Sequence, residues 1–181
     1  FIAMKDLCGD LVDGLQRRHE KGEDITGLST GYKKFDGITQ GLHPGDLIIL
    51  AGRPSMGKTT LALNIAEYAA FRPDNPSPVA VFSMEMASLQ LVMRMFSSIG
   101  QIEQNRIRTG SLDDLDWPKL ISAMNLLHKS KIFIDDTPAL SPAELRARAR
   151  RLQREHDIDM IFVDYLQLFS VPDTRHNRST V

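Results

Sequence analysis

Four short apolar runs, separated by segments with helical periodicity, constrain the fold of this 181-residue chain more than any other feature. The runs cover residues 47–51, 79–82, 132–134 and 160–163. Each is too short for a helix and too continuous for a strand with one solvated face, so we interpret all four as buried strands. Strands that alternate with helices are typical of βαβ units. The sequence therefore predicts an α/β fold, with a mostly parallel sheet and helices on both faces.

The segments between the runs carry recognisable helix signals. Residues 58–71 and 114–129 are expected to be helical, and Pro118 is tolerated only if it lies in the first turn of the second helix. Ser88 is expected to cap another helix. Residues 141–144 read Ser-Pro-Ala-Glu, a capping box with proline at the first helical position. The helix that follows would bury a stripe formed by Leu145, Ala149 and Leu152.

The first 20 residues differ from the rest of the chain. They carry apolar residues at helical spacing and then break into a polar run at residues 17–24. We interpret residues 1–20 as an amphipathic linker helix and residues 21–181 as one domain. Because the chain begins with Phe1 and shows no leader pattern, we expect it to be a piece of a longer protein.

Composition excludes several classes of protein. With 42% hydrophobic residues the chain is too apolar to be disordered, and no apolar run approaches the roughly 20 residues of a membrane span. A single cysteine, Cys8, cannot form an internal disulfide, which favours a cytoplasmic location. The net charge of −1, from 22 basic and 23 acidic side chains, gives no global indication of nucleic-acid binding.

Residues 52–59 read G-x-x-x-x-G-K-T directly after the first apolar run, which is the pattern of a phosphate-binding loop. Glycines at both ends, Gly52 and Gly57, permit the backbone angles with which N–H groups wrap around a polyphosphate. The N-terminus of the next helix favours the same anion. Lys58 is expected to reach the β- and γ-phosphates, and the Thr59 hydroxyl to ligate Mg²⁺. The predicted nucleotide-binding residues are Gly52, Arg53, Pro54, Ser55, Met56, Gly57, Lys58, Thr59 and Thr60.

Carboxylates that follow other apolar runs complete the predicted site. Asp164 ends the last run at the edge where ligands bind in open α/β sheets, so it is predicted to hold Mg²⁺ through water. Asp135 and Asp136 compete for this role, but the longer and more apolar run favours Asp164. Glu85 follows the second run and is the best candidate for orienting a lytic water. The alternative is that Glu85 only stabilises the dipole of the next helix.

Several segments together resemble the DnaB-type replicative DNA helicases. The phosphate-binding motif alone is shared by many nucleoside triphosphatases, but its combination with Asp-Tyr-Leu-Gln-Leu at residues 164–168 is far more specific. The similarity runs in order over essentially the whole chain. The segments are residues 26–27, 41–47, 51–60, 82–86, 107–110, 134–136, 146–151 and 164–168.

The resemblance implies a RecA-like core in a ring-shaped homo-hexamer, which hydrolyses ATP with Mg²⁺ to move on single-stranded DNA and unwind the duplex. It also implies that Glu85 is the catalytic glutamate, acting with Lys58, and that the linker helix docks on a neighbouring subunit. Primase and a helicase loader are the implied protein partners. The last strands of such a core, its sensor glutamine and its arginine finger would lie beyond residue 181. Arg175 and Arg178 are candidate DNA contacts, although a mobile chain end explains that segment equally well.

Other hypotheses stay open on the sequence alone. The chain could be another RecA-class ATPase, such as a recombinase or clock-protein relative, or a truncated nucleotide-binding fragment without unwinding activity. A small-molecule kinase is a further hypothesis, but it needs a lid with arginines over the phosphates, and no segment suggests one. A cluster of arginines in the helix after Ser141 is expected to be a solvated face first, a subunit contact second and a DNA contact third. Its members are Arg146, Arg148, Arg150, Arg151 and Arg154.

Overall fold

The computed structural model of the chain describes residues 25–53, 55–73 and 75–164, together with Met4, Cys8, Gly9, residues 11–13 and Gln16. It contains two compact units, Phe1–Ile49 and Leu50–Val181. The described residues among the first 16 are all helical, in agreement with a helix there. The division of the chain at residue 20 stays a prediction.

Within residues 25–49 of the first unit there is a short helix, α1 (Lys33–Thr39), in a region where we expected only turns and irregular segments. Its Asp36 carboxylate is buried and accepts hydrogen bonds from the Ser29 hydroxyl at 2.7 Å and from the Thr30 hydroxyl at 2.6 Å. The Thr30 N–H donates to the same carboxylate at 3.0 Å. Burial would raise the pKa of Asp36, but these hydrogen bonds outweigh it and lower the pKa.

The second unit contains three strands and five helices within its described residues. In chain order they are α2 (Lys58–Ala70), β1 (Val79–Ser83), α3 (Ser88–Gly100), α4 (Gln104–Thr109), α5 (Asp116–Lys129), β2 (Ile132–Asp135), α6 (Pro142–His156) and β3 (Met160–Asp164). The three strands confirm three of the four predicted ones, each one residue longer. None of the described helices is both long and apolar enough to traverse a bilayer.

The three strands form a parallel sheet in the order β2-β1-β3. Val79 of the central strand β1 pairs with Ile132 on one side and Met160 on the other, and Ser83 pairs with Asp164. All residues of β1 are buried, so both faces of the sheet are covered around it. Because the strands run in the same direction, their carboxyl ends meet at one edge.

Helix α6 covers one face of the sheet. Ala80 and Phe82 of β1 share a core cluster with Ala149 of α6, and Leu145 and Leu152 pack against that cluster. This confirms the predicted buried stripe of the helix. Side chains at alternate positions of β1 point to the opposite face, and helix α2 contacts both β1 and β3. The observed fold is therefore the predicted α/β class.

The starts of the helices test the predicted caps. Helix α6 begins with the predicted capping box, in which the Ser141 hydroxyl accepts from the Glu144 N–H at 3.2 Å. Helix α5 begins two residues later than predicted, with Pro118 in its first turn as expected. The prediction that Ser88 caps α3 is wrong, because Ser88 is already helical and Ala87 holds the N-cap position. A serine at a helix start signals a nearby boundary but does not distinguish adjacent positions.

The prediction of a buried central strand at residues 47–51 is also wrong. These residues form no strand, and Leu47, Ile48, Ile49 and Leu50 are all exposed, Leu47 by 83%. A strand exists only through backbone pairing with a partner, and an apolar run predicts burial without specifying that partner. The described sheet therefore has three strands rather than the expected four.

Candidate nucleotide-binding site

The glycine-rich turn leads directly into α2. Gly57 is the N-cap residue of that helix and has a φ of 82°, a left-handed conformation that glycine adopts without strain. Gly52 does not lie in the left-handed region, so the backbone-angle argument holds for Gly57 but not for Gly52. A Cβ at Gly52 would lie 3.4 Å from Cγ of Lys58, which is an ordinary van der Waals contact, so neither backbone angle nor space requires glycine at that position in this structure.

The Lys58 ammonium folds back over this turn. Its Nζ donates a hydrogen bond to the carbonyl oxygen of Gly52 at 2.9 Å. The first N–H groups of α2 have no acceptor within their own helix, and they lie at the positive end of its dipole. The described residues of the turn, from Gly52 to Gly57, are exposed. The turn therefore combines an ammonium with helix N–H groups at an accessible surface, which suits a polyphosphate.

Thr59 and Asp164 meet at the edge of the sheet although 105 positions separate them. The Thr59 hydroxyl donates to Oδ2 of Asp164 at 2.8 Å, and the Asp164 side chain is buried at the end of β3. The described residues contain no cluster of three or more His, Cys, Asp or Glu that could hold a metal. A hydroxyl and one carboxylate fit Mg²⁺, which takes one or two protein oxygens and completes its shell with water and phosphate oxygens.

The carboxylates at the end of β2 have other partners. Asp135 accepts from Arg148 at 2.7 Å and from the Thr137 hydroxyl at 2.6 Å. Burial would raise the pKa of Asp135, but these partners outweigh it and lower the pKa. Asp136 accepts the backbone N–H of Ser88 at 2.7 Å, and this hydrogen bond lowers the pKa of Asp136. The geometry therefore favours Asp164 over both for the metal role.

Glu85 lies exposed in the turn between β1 and α3, two residues beyond the pair formed by Ser83 and Asp164. The Ser83 hydroxyl donates to the Met86 carbonyl at 2.8 Å and accepts from the Met86 N–H at 3.1 Å, which closes the turn. The Met84 N–H donates to the Asp164 carbonyl at 2.8 Å. Glu85 therefore belongs to the same sheet edge as Asp164, as the sequence predicts.

The sequence patterns did not predict two contacts of this region. Arg94 of α3 donates to the Thr60 hydroxyl at 3.4 Å, and its buried Nε has no partner among the described residues. The only sequence signal for Arg94 is one charge within the otherwise apolar run of residues 91–96. The bond between Asp136 and Ser88 was also missed, because each residue was assigned a separate role, one as a metal ligand and the other as a cap.

Some predicted residues contribute to no described contact at the site. Pro54 and the candidate DNA contacts Arg175 and Arg178 lie outside the described residues. In α6, Arg148 is bound to Asp135. The other arginines of that helix are exposed, which agrees with a solvated face; they are Arg146, Arg150, Arg151 and Arg154.

A parallel sheet, a glycine-lysine-threonine turn at a helix start and a buried strand-end aspartate together define a P-loop nucleoside triphosphatase domain. A family model, the DnaB-like helicase C terminal domain, matches residues 27–181. The chain belongs to this family of DnaB-like helicase domains.

Two relatives with curated names are replicative DNA helicases. The chain is 46% identical over 168 residues to the replicative DNA helicase DnaC of Bacillus subtilis (strain 168), which covers 93% of this chain and 37% of the relative. It is 49% identical over 179 residues to the replicative DNA helicase DnaB of Buchnera aphidicola subsp. Schizaphis graminum. That match covers 97% of this chain and 38% of the relative. The chain thus spans less than two-fifths of the length of these relatives.

Solved structures show the same fold. One of them, described as an ATPase domain, superposes with a TM-score of 0.81 at 28% identity, over 96% of this chain and 61% of that one. A DnaB-like replicative helicase, described with its interactions with primase, superposes with a TM-score of 0.79 at 28% identity. The match covers 91% of this chain and 40% of that one. These similarities confirm the predicted RecA-like fold.

Proposed function

We propose that this chain is the ATP-hydrolysing motor domain of a replicative DNA helicase, which works as a homo-hexamer on single-stranded DNA. One observation carries the proposal. The hydrogen bond between Thr59 and Asp164 joins the phosphate-binding turn to the strand-end carboxylate, at the sheet edge that also carries Glu85. Membership of the family, with relatives named as replicative helicases, supports the unwinding task.

Binding of the nucleotide is assigned to the turn and the start of α2. The Lys58 ammonium exchanges its contact with the Gly52 carbonyl for oxygens of the β- and γ-phosphates, while helix N–H groups donate to the same anion. The Thr59 hydroxyl would ligate Mg²⁺, and Asp164 would hold it through water. Bound Mg²⁺ neutralises charge on the phosphate oxygens and fixes their orientation. The roles of Arg53, Ser55, Met56 and Thr60 as nucleotide-binding neighbours belong to the same proposal.

Hydrolysis is assigned to Glu85. Its carboxylate is exposed, just beyond the strand end that pairs with Asp164, so it can accept a hydrogen bond from a water molecule and orient that water towards the γ-phosphorus. As the water oxygen bonds to phosphorus and the bridging oxygen leaves with ADP, the carboxylate takes up the proton of the water. The hydrogen bonds between Ser83 and Met86 close the turn that carries Glu85.

The proposed partners follow from the same function. A replicative motor acts on single-stranded DNA, with Arg175 and Arg178 as candidate contacts, and acts in the cytoplasm of the bacterial cell. The solved DnaB-like helicase is described with primase interactions, and we propose primase and a helicase loader as partners of this protein too. A kinase or a recombinase is not favoured, because the matched family is one of helicase domains.

Steady-state hydrolysis tests the proposal. In the full natural polypeptide, with ATP and Mg²⁺, we expect phosphate release that requires Mg²⁺ and rises when single-stranded DNA is added. Duplex DNA without a single-stranded tail is the matched control and should stimulate less. A forked duplex should be unwound only with hydrolysable ATP. Phosphate transfer to a small acceptor, or hydrolysis indifferent to DNA in the full polypeptide, would contradict the proposed motor function.

A further inference from the structure

We propose that Asp136 is a positioning residue for hydrolysis, because it caps α3 and thereby fixes the turn that carries Glu85. The inference rests on the proposed function, in which Glu85 orients the attacking water. It adds a residue that touches neither nucleotide nor metal and that lies at the end of a different strand.

Helix α3 begins without a cap of its own. Its N-cap residue is Ala87, whose methyl group cannot accept a hydrogen bond, and its first turn contains no acidic residue. The first N–H groups of a helix need acceptors, which an N-cap Ser, Thr, Asp or Asn normally supplies. Asp136 supplies one from 48 positions away, since the Ser88 N–H donates to its Oδ2 at 2.7 Å. The carboxylate also suits the positive end of the helix dipole.

The turn that carries Glu85 runs between two fixed ends. The pairing of β1 holds its first end at Ser83, and the hydrogen bonds between Ser83 and Met86 close the turn around Glu85. Its second end is the start of α3, which Asp136 holds. Between them Glu85 and Ala87 are exposed, so little packing restrains this part of the turn. The hydrogen bond to Ser88 therefore restrains the side of the turn that packing leaves free.

Asp136 is itself attached to a rigid support. The preceding residue, Asp135, ends β2 and accepts from Arg148 at 2.7 Å, and the same guanidinium donates to the Thr137 hydroxyl at 2.7 Å. Residues on both sides of Asp136 are thus held against α6. Because Asp136 is anchored in this way, its hydrogen bond to Ser88 fixes the start of α3, and with it the Glu85 turn, relative to the end of β2.

The first test is Asp136→Ala in the full natural polypeptide, measured as kcat and KM for ATP with Mg²⁺. We expect kcat to fall by about 10- to 100-fold, the scale on which a misplacement of about 1 Å reduces rates. KM and nucleotide affinity should change by less than about threefold, since Lys58, Thr59 and Asp164 keep their contacts. Asp136→Asn retains an acceptor oxygen and should restore most of kcat.

A second variant removes the same hydrogen bond from the donor side. Ser88→Pro deletes the N–H at the first helical position, where proline is favoured. The backbone of Ala87, with φ −64° and ψ 146°, already has the extended conformation that a residue before proline adopts. Ser88→Pro should reproduce the kcat loss. The double variant with Asp136→Ala should be no slower than either single variant, because both remove the same contact between Asp136 and Ser88.

Ser141→Ala is the matched control for an ordinary loss of helix stability. It removes the capping box of α6, whose hydrogen bonds run only between Ser141 and Glu144, so stability should fall while kcat stays unchanged. A wild-type protein that hydrolyses no ATP would contradict the proposed function itself. If the wild type is active, any of three results overturns the inference. Asp136→Ala could keep the kcat of the wild type, or Asp136→Asn could lose as much kcat as Asp136→Ala. The third is a kcat loss in the double variant that equals the product of the two single losses.

Discussion

The ends of β2 and β3 lie at the same edge of one sheet and both carry aspartates, yet the two strand ends differ in what they bind. Asp164, at the end of β3, is buried and accepts a hydroxyl of α2, whose oxygen can also ligate a cation. Asp136, just beyond β2, is exposed and accepts a backbone N–H of α3, which cannot ligate a cation. The hydrogen-bond partner of a strand-end carboxylate, rather than its position in the sheet, therefore decides whether the carboxylate can help to bind a metal or only stabilises the structure.

Glu85 follows the central strand β1, and replacing it tests whether this third carboxylate acts in hydrolysis or only in the structure. Glu85→Gln keeps the shape of the side chain but cannot take up the proton of the attacking water. We expect hydrolysis to fall by about 10²–10⁴-fold, the scale for losing a positioned base, with nucleotide binding retained. Single-turnover hydrolysis and a binding titration measure the two quantities. Normal hydrolysis by this variant would place Glu85 with the structural carboxylates of β2.

Replacing one aspartate at each strand end sharpens the comparison directly. For Asp164→Asn we expect kcat to fall by about 10²–10³-fold and the Mg²⁺ concentration for half-maximal activity to rise, because the metal loses a charged partner. Asp135→Asn should alter the Mg²⁺ requirement by less than about twofold, since Asp135 contacts Arg148 and Thr137 instead. Equal effects of the two variants on the Mg²⁺ requirement would remove the distinction between the strand ends.

The smallest expected effect concerns the stability of the β2 end. Arg148→Met keeps the aliphatic length of the side chain but removes the hydrogen bonds to Asp135 and Thr137. We expect the free energy of unfolding to fall by about 1 kcal/mol at neutral pH, as for a partly exposed ion pair. Denaturant unfolding measures the difference.

The pH dependence of this effect has a definite sign. The partners of Asp135 lower its pKa, so the stability they contribute is present above the ordinary aspartate pKa and is lost as the pH falls through the folded-state value. The gap between wild type and Arg148→Met should therefore narrow below about pH 4. A gap that stays constant in acid would show that Arg148 acts mainly through packing.

Local sequence patterns predicted much of this fold. The runs that became β1, β2 and β3 are apolar and lie between clear helical patterns, and the capping box of α6 is entirely local. The meeting of Thr59 and Asp164 was also predictable, because parallel strands place their carboxyl ends at one edge whatever the distance along the chain.

The features that were not predicted depend on long-range partners without a local signal. The apolar residues 47–51 have the composition of a strand, but they form no backbone pairing. Ala87 gives no sign of a cap, because its helix is capped from Asp136 across 48 positions. Glu67 lies within a predicted helix yet is buried, where the Ser98 hydroxyl donates to it at 2.7 Å. Periodicity specifies which face of an element is apolar but not which distant polar group meets it.

Calorimetric titration of the full natural polypeptide with ATP in the presence of Mg²⁺ tests the central claim most directly, namely that the turn before α2 binds a polyphosphate. We predict saturable binding by the wild type and a loss of about ten- to hundredfold in affinity for Lys58→Ala, the scale of a charge-assisted hydrogen bond. Lys119→Ala, which removes an exposed lysine of α5, should bind like the wild type. Absence of binding by the wild type, or equal affinity in Lys58→Ala, would contradict the account.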